Sequence, residues 1–186
     1  MKEYVSSVAQ AASGPATTAV WDPCVRLCHW SLAAIFLLDH FVTDEGRSIH
    51  NWLGYVAMGL IAMRVVWGFV SSNPRARFSD FVPSPRAFLA HMRDMARGCD
   101  HRHIGHNPAG GAMMVILLGL MAGLGLTGWM QTTDAYWGVE WVQDTHAWLS
   151  QIVLWLVLVH VAGALFQSWR FRENLVLAMF TGRKRP

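Results

Sequence analysis

Residues 146–166 read HAWLSQIVLWLVLVHVAGALF, a stretch whose two histidines are its only ionisable side chains. From His146 to His160 is fourteen residues, a helical rise of about 21 Å with little angular drift. One helix therefore presents two imidazoles on nearly the same face, one toward each side of a bilayer. An ionisable side chain inside an apolar span is costly and should have a partner. This spacing predicts two redox or metal centres stacked across a membrane.

The rest of the chain supports a membrane setting. Of its 186 residues, 53% are hydrophobic and 15% charged, against about 25% charged in soluble domains. Uncharged or nearly uncharged blocks run over Trp52–Val70 (broken by Arg64), Gly110–Met130 and Ala147–Phe166 (broken by His160). Each approaches the ~20 residues a helix needs to cross hydrocarbon. A fourth block, Leu27–Leu38, is short and contains His29, and reaching full length takes in Asp39 and His40. Charge asymmetry favours counting it as a span. With four spans, thirteen of the fifteen Lys and Arg residues share one side with both termini, and the opposite connections hold only Arg47 among acidic residues. By the positive-inside rule both termini are cytoplasmic. Trp21, Trp30, Trp67 and Trp169 fall at one boundary, Trp52, Trp129, Trp137, Trp141 and Trp148 near the other, as an aromatic belt requires. The net charge of +3 thus reflects topology, and nucleic-acid binding is not the favoured explanation.

The predicted order is a flexible cytoplasmic tail over residues 1 to about 20, then a four-helix membrane domain over 21–186. Met1 to Thr18 lacks the apolar core of a cleavable signal peptide, so the first span would act as an uncleaved anchor. Asp22-Pro23 and Asn107-Pro108 read as helix starts, with a capping side chain followed by proline at the first helical position. Between spans two and three, Pro85–Arg97 has a helical pattern suited to a membrane surface or an ordinary loop helix. Gln131–Thr145 forms the outer loop before span four, opened by His146, and Thr43–Ser48 the turn before span two, opened by His50.

Topology sorts the membrane histidines by depth. His50 and His146 share the outer side; His29 and His160 share the inner side. Haem suits such pairs, because a bundle core holds a flat macrocycle between facing helices. With imidazole on both iron faces no site remains for oxygen or substrate, so such a centre passes electrons. A zinc or copper pair is the rival and would want further ligands. His40, eleven residues beyond His29, also has the depth of the outer centre. Arg64 lies fourteen residues beyond His50, near the inner centre, where it either pairs with a haem propionate or snorkels to the surface. Asp39 either caps the outer end of span one or moves a proton. Gly54, Gly59, Gly119, Gly123, Gly125 and Gly163 would make room for a macrocycle, with plain helix packing the alternative for the Gly119/Gly123 pair. His101 and His103, one residue apart, could bind a metal with His106, but no cysteine or carboxylate pattern supports it. Cys24 to His29 is one residue too long for a c-type haem attachment site.

Several runs together resemble the bacterial cytochrome b561 and nickel–iron hydrogenase cytochrome b family. They are Val20–Trp30 (VWDPCVRLCHW), His50–Tyr55 (HNWLGY), Arg64–Phe69 (RVVWGF), Ala76–Phe78 and Gly105–Gly111 (GHNPAGG). Leu126–Gly128, His146, His160, Glu173–Leu175 and Gly182–Lys184 complete the likeness, which covers nearly the whole chain after residue 20. The resemblance implies an all-α, integral membrane four-helix bundle binding two b-type haems, ligated by His29 with His160 and His50 with His146. It favours His50 over His40 for the outer centre. It also implies electron transfer between the quinone pool (ubiquinone or menaquinone) and a partner: a soluble cytochrome c, a periplasmic enzyme or superoxide. The alternatives are a haem-carrying anchor subunit of a hydrogenase-type complex and, from another class, a metal-ion transporter using the membrane histidines.

Overall fold

The first helix begins where a side chain can replace the backbone acceptors it lacks. Asp22 Oδ1 accepts hydrogen bonds from the Cys24 and Val25 amides at 2.9 and 3.2 Å, and Pro23 occupies the first turn. Asn107 does the same for the third long helix, accepting from Gly110 N at 2.7 Å ahead of Pro108. Both starts are those expected from the sequence.

The computed structural model describes residues 17–99, 101–103 and 105–185. Their elements are β1 (Thr18–Ala19), α1 (Pro23–Phe41), α2 (Ser48–Val70), α3 (Phe78–Phe81), α4 (Pro85–Ala96), α5 (Pro108–Gln131), α6 (Glu140–Arg170), α7 (Leu175–Thr181) and β2 (Arg183–Lys184). Helices α1, α2, α5 and α6 are long and apolar enough to cross a membrane. The first has the lowest mean hydropathy of the four, 1.2, because it carries Arg26, His29, Asp39 and His40. Apolar side chains such as Val66, Phe69, Trp155, Leu158 and Phe166 are exposed along these helices. In water they would form an apolar patch far larger than soluble monomers tolerate; against lipid tails they are in their own solvent.

Helix α1 packs on α2, α2 on α5, and α5 on α6. Between α1 and α6, which share no comparable backbone contact among the described residues, side chains span the gap. Short α3 tucks against the bundle at two glycines. A Cβ on Gly68 would sit 2.3 Å from the Phe78 ring, and one on Gly111 2.3 Å from the Phe81 carbonyl oxygen.

At the basic end, Asp22 also accepts from Trp67 Nε1 (3.2 Å) and Asn73 Nδ2 (2.8 Å), tying the start of α1 to the end of α2. Strands β1 and β2 pair antiparallel, Thr18 with Lys184 and Ala19 with Arg183, so the two ends of the described chain meet there. Residues 1–16 of the expected tail lie outside the described residues, whereas its last part is held in this sheet. The sheet rests on an ion cluster: buried Glu173 accepts from Arg102 Nη2 at 3.0 Å and lies 3.9 Å from buried Lys184 Nζ, which sits over the Trp21 ring.

Some boundaries differ from the sequence reading. Span four starts at Glu140, not His146, so the second half of the expected loop is helical and His146 lies in the second turn. The two strands and α7 were not foreseen; Gly182, at φ +78°, ends α7 in the left-handed region and turns the chain into β2.

Burial opposes ionisation of Glu173, but the hydrogen bond from Arg102 and the charges of Lys184 and Arg102 outweigh it and hold its carboxyl below the usual range. A carboxyl lowered in this way stabilises the fold above its unfolded-state pKa, and the contribution is lost as pH falls through the folded value. Glu173→Gln leaves two cations without their counter-charge, a loss of about 3 kcal/mol for a buried pair. Thermal unfolding in detergent should show a lower midpoint for the variant at neutral pH, with the gap to wild type closing on acidification.

Candidate functional site

Helix α6 carries one histidine toward each end, and each faces a histidine from a different helix. Toward the loop end, His146 meets His50 in the first turn of α2, ring centroids 6.2 Å apart. Toward the basic end, His160 meets His29 of α1, again 6.2 Å apart. The separation discriminates between bonding modes. A direct imidazole hydrogen bond of about 3 Å would bring the centroids to about 5 Å. Two imidazoles bound to one metal atom at about 2 Å each stand about 6 Å apart. At 6.2 Å both pairs are too far apart for a direct hydrogen bond and have room for one atom between the rings.

The loop-end pair is held in one tautomer by its surroundings. His146 Nδ1 lies 3.1 Å from the Leu124 carbonyl, which can only accept, so Nδ1 carries the proton and Nε2 keeps its lone pair. Thr127 Oγ1 is 3.1 Å from the same nitrogen and donates its own proton to the Gly123 or Leu124 carbonyl. Gly128 makes room for the ring, since a Cβ there would lie 3.0 Å from His146 Cε1. Across the pair, His50 Nδ1 is 3.0 Å from Asp39 Oδ1 and 3.3 Å from Thr43 Oγ1, while Thr43 donates to Asp39 Oδ1 at 2.8 Å. His50 Nε2 is thereby left as a ligand atom too.

The basic-end pair has a different environment. His29 Nδ1 is buried without a hydrogen-bond partner among the described residues. One helix away, Arg64 is 4% exposed, with neither terminal nitrogen hydrogen-bonded. Its guanidinium lies 4.8 Å from the Phe78 ring centroid and 5.9 Å from that of Phe81. His106 closes this region, edge-on to Trp21 at 4.5 Å and against Phe81 at 4.8 Å. Burial, then the charges of Arg64 and Lys184, push its pKa down to about 4, so it is neutral at physiological pH and adds no charge of its own. A buried guanidinium with idle donors fits a bidentate anionic group such as a carboxylate.

The number of donors narrows the metal. Among the described residues no three His, Cys, Asp or Glu converge on one point. Each pair by itself offers two imidazoles, fewer than the four donors of a structural zinc site.

Other candidates go elsewhere. His40 bonds Ser150 Oγ through Nδ1 at 3.0 Å and stacks on Phe36, so His50 and not His40 stands opposite His146. His91 and His103 approach to 5.6 Å, but His106 is committed to Trp21 and Phe81. All three cysteines are free thiols. Of the glycines expected to make room, Gly123 touches Leu149 and Gly125 abuts Met58, serving helix packing, whereas a Cβ on Gly54, Gly59, Gly119 or Gly163 would meet nothing within 4 Å. Three features of the loop-end pair were not anticipated: the Asp39–His50 contact, the Leu124 acceptor and the clearance at Gly128. Asp39 was conspicuous as a carboxylate in an apolar helix, but its partner lies beyond a turn.

A family model described as prokaryotic cytochrome b561 matches residues 20–182. A protein of Bradyrhizobium diazoefficiens named "Probable Ni/Fe-hydrogenase B-type cytochrome subunit" is 24% identical, over 93% of this chain and 88% of its own length. No solved structure matches. Because the family match runs across all four long helices and both histidine pairs, the chain belongs to the prokaryotic cytochrome b561 family and is a membrane haem b electron-transfer protein.

Proposed function

We propose that the chain carries two b-type haems, one between His29 and His160 and one between His50 and His146, and conducts electrons between the quinone pool and a redox partner. The observation that carries this reading is the repetition of one 6.2 Å ring separation at two levels of α6, about 21 Å apart along its axis. When bound, each haem would supply a one-electron couple, with His29 and His160 or His50 and His146 as the residues that would hold it.

The protein's part is binding, orientation and electrostatics. Leu124 accepts from His146 Nδ1, and Thr43, whose own proton goes to Asp39, accepts from His50 Nδ1, so Nε2 of each keeps the lone pair that would bind iron. Arg64 would hold a propionate of the basic-end haem through paired N–H donors, in a site where Phe78 and Phe81 exclude competing water. The excess of Lys and Arg at the terminal end supports a bacterial inner-membrane location with both termini cytoplasmic, and so a periplasmic face for the His50/His146 end. Ubiquinone or menaquinone is the quinone; a soluble cytochrome c, a periplasmic enzyme or superoxide is the partner.

A second reading has its own support. The relative named as a hydrogenase cytochrome subunit favours a role as a haem-carrying anchor subunit that wires such an enzyme to quinone. A metal-ion transporter has less support, since each pair offers only two ligands.

Pyridine haemochrome analysis of the purified protein is expected to give two haems per chain, and one in each of His160→Ala and His146→Ala. Two haems retained in either variant would contradict the assignment. Gly128→Val should push the His146 ring off its position and deplete the haem that His146→Ala loses, whereas Gly59→Ala, with open space at its Cβ, should keep both. Equal haem content in the two glycine variants would show that the clearance at Gly128 does not matter.

A further inference from the structure

The two histidine pairs differ in what stands behind the ligands. His146 has a neutral carbonyl behind it and His29 Nδ1 has no partner among the described residues, but His50 has a carboxylate. Asp39 Oδ1 lies 3.0 Å from His50 Nδ1, at ion-pair distance, and both are joined through Thr43 Oγ1, which is 3.3 Å from that nitrogen, donates to Asp39 Oδ1 at 2.8 Å and also reaches the Asp39 carbonyl at 3.0 Å. Thr43 and Asp39 are four residues apart at the end of α1, so this clamp is local to that helix end and only His50 comes from α2. The side chains of Asp39 and His50 are 18% and 22% exposed, so water and salt screen the pair only in part.

The geometry points to Asp39 as the positioning residue that makes the outer iron harder to reduce than its axial ligands alone would. With its own proton directed to Asp39, Thr43 Oγ1 accepts from His50 Nδ1, and an acceptor polarised by a carboxylate raises the basicity of Nε2; a more basic ligand favours the oxidised metal. The negative charge acts in the same sense, because it interacts more favourably with the more positive state of the centre. No other ligand histidine has a carboxylate within salt-bridge distance among the described residues, so the effect is specific to one of the two centres.

This inference rests on His50 and His146 clamping one haem, and the test separates the two ideas. Potentiometric titration of the detergent-purified holoprotein, followed in the α-band, yields two midpoints; the outer one is identified by its absence from His146→Ala. In Asp39→Asn, which keeps an oxygen acceptor and removes the charge, the outer midpoint should rise. A tenfold gain in the reduced-to-oxidised ratio at fixed poise is expected, 59 mV for a one-electron couple, with the inner midpoint unmoved. An unmoved outer midpoint, or an equal rise in both, would overturn the role of Asp39 while leaving the outer haem in place. If Asp39→Asn does not retain the outer haem, Asp39→Glu should restore it at the wild-type midpoint; failure of that rescue would make the position structural and overturn the inference. Two haems in His146→Ala would remove the coordination reading and this inference together.

Discussion

An imidazole buried in an apolar helix must find a partner, and in α6 this constraint acts twice. His146 and His160 sit about 21 Å apart on one helix, and each draws a different neighbour into register. His160 requires α1 to place His29 near the basic end; His146 requires α2 to place His50 near the loop end. The four spans then have little freedom in vertical alignment, although helices in lipid gain nothing from hiding apolar surface from one another. Direct helix packing runs from α1 through α2 and α5 to α6, and histidines, together with the His40–Ser150 bond, cross the remaining gap between α1 and α6.

The two ends of the bundle meet different electrostatic demands. At the loop end the Nδ1 atoms of both facing histidines are already satisfied by the protein, by Asp39 and Thr43 on one side and Leu124 on the other. At the basic end Arg64 and His29 are buried with polar atoms that no described residue satisfies. A charged group with idle donors in a low-dielectric site is expensive unless a counter-charge joins it, which is why the proposed haem propionate belongs there. Around that site, Asp22, Glu173, Arg102 and Lys184 brace the two ends of the described chain against one another at the end of the bundle.

Much of this was legible in the sequence because the signals were local or periodic. Asp22-Pro23 and Asn107-Pro108 act through the backbone of their own first turn, so residue identity was enough to locate the helix starts. Depth along a span follows from counting residues, which put His29 opposite His160 and His50 opposite His146. Rotation about each helix axis does not follow from counting, and so His40 remained a rival until its bond to Ser150 placed it. Loop composition hid the first turn and a half of α6, whose acidic and aromatic residues read as a connection although Glu140 suits a helix N-terminus. The contacts of Asp39 and Leu124 depend on how α1, α2, α5 and α6 are rotated together, and no short-range pattern encodes them.

The central claim, that each imidazole pair clamps one haem iron from both sides, is tested most directly by low-temperature electron paramagnetic resonance of the fully oxidised protein. Two low-spin ferric signals with no high-spin component are the predicted result. A substantial high-spin signal, or a single low-spin centre in protein of full haem content, would contradict it.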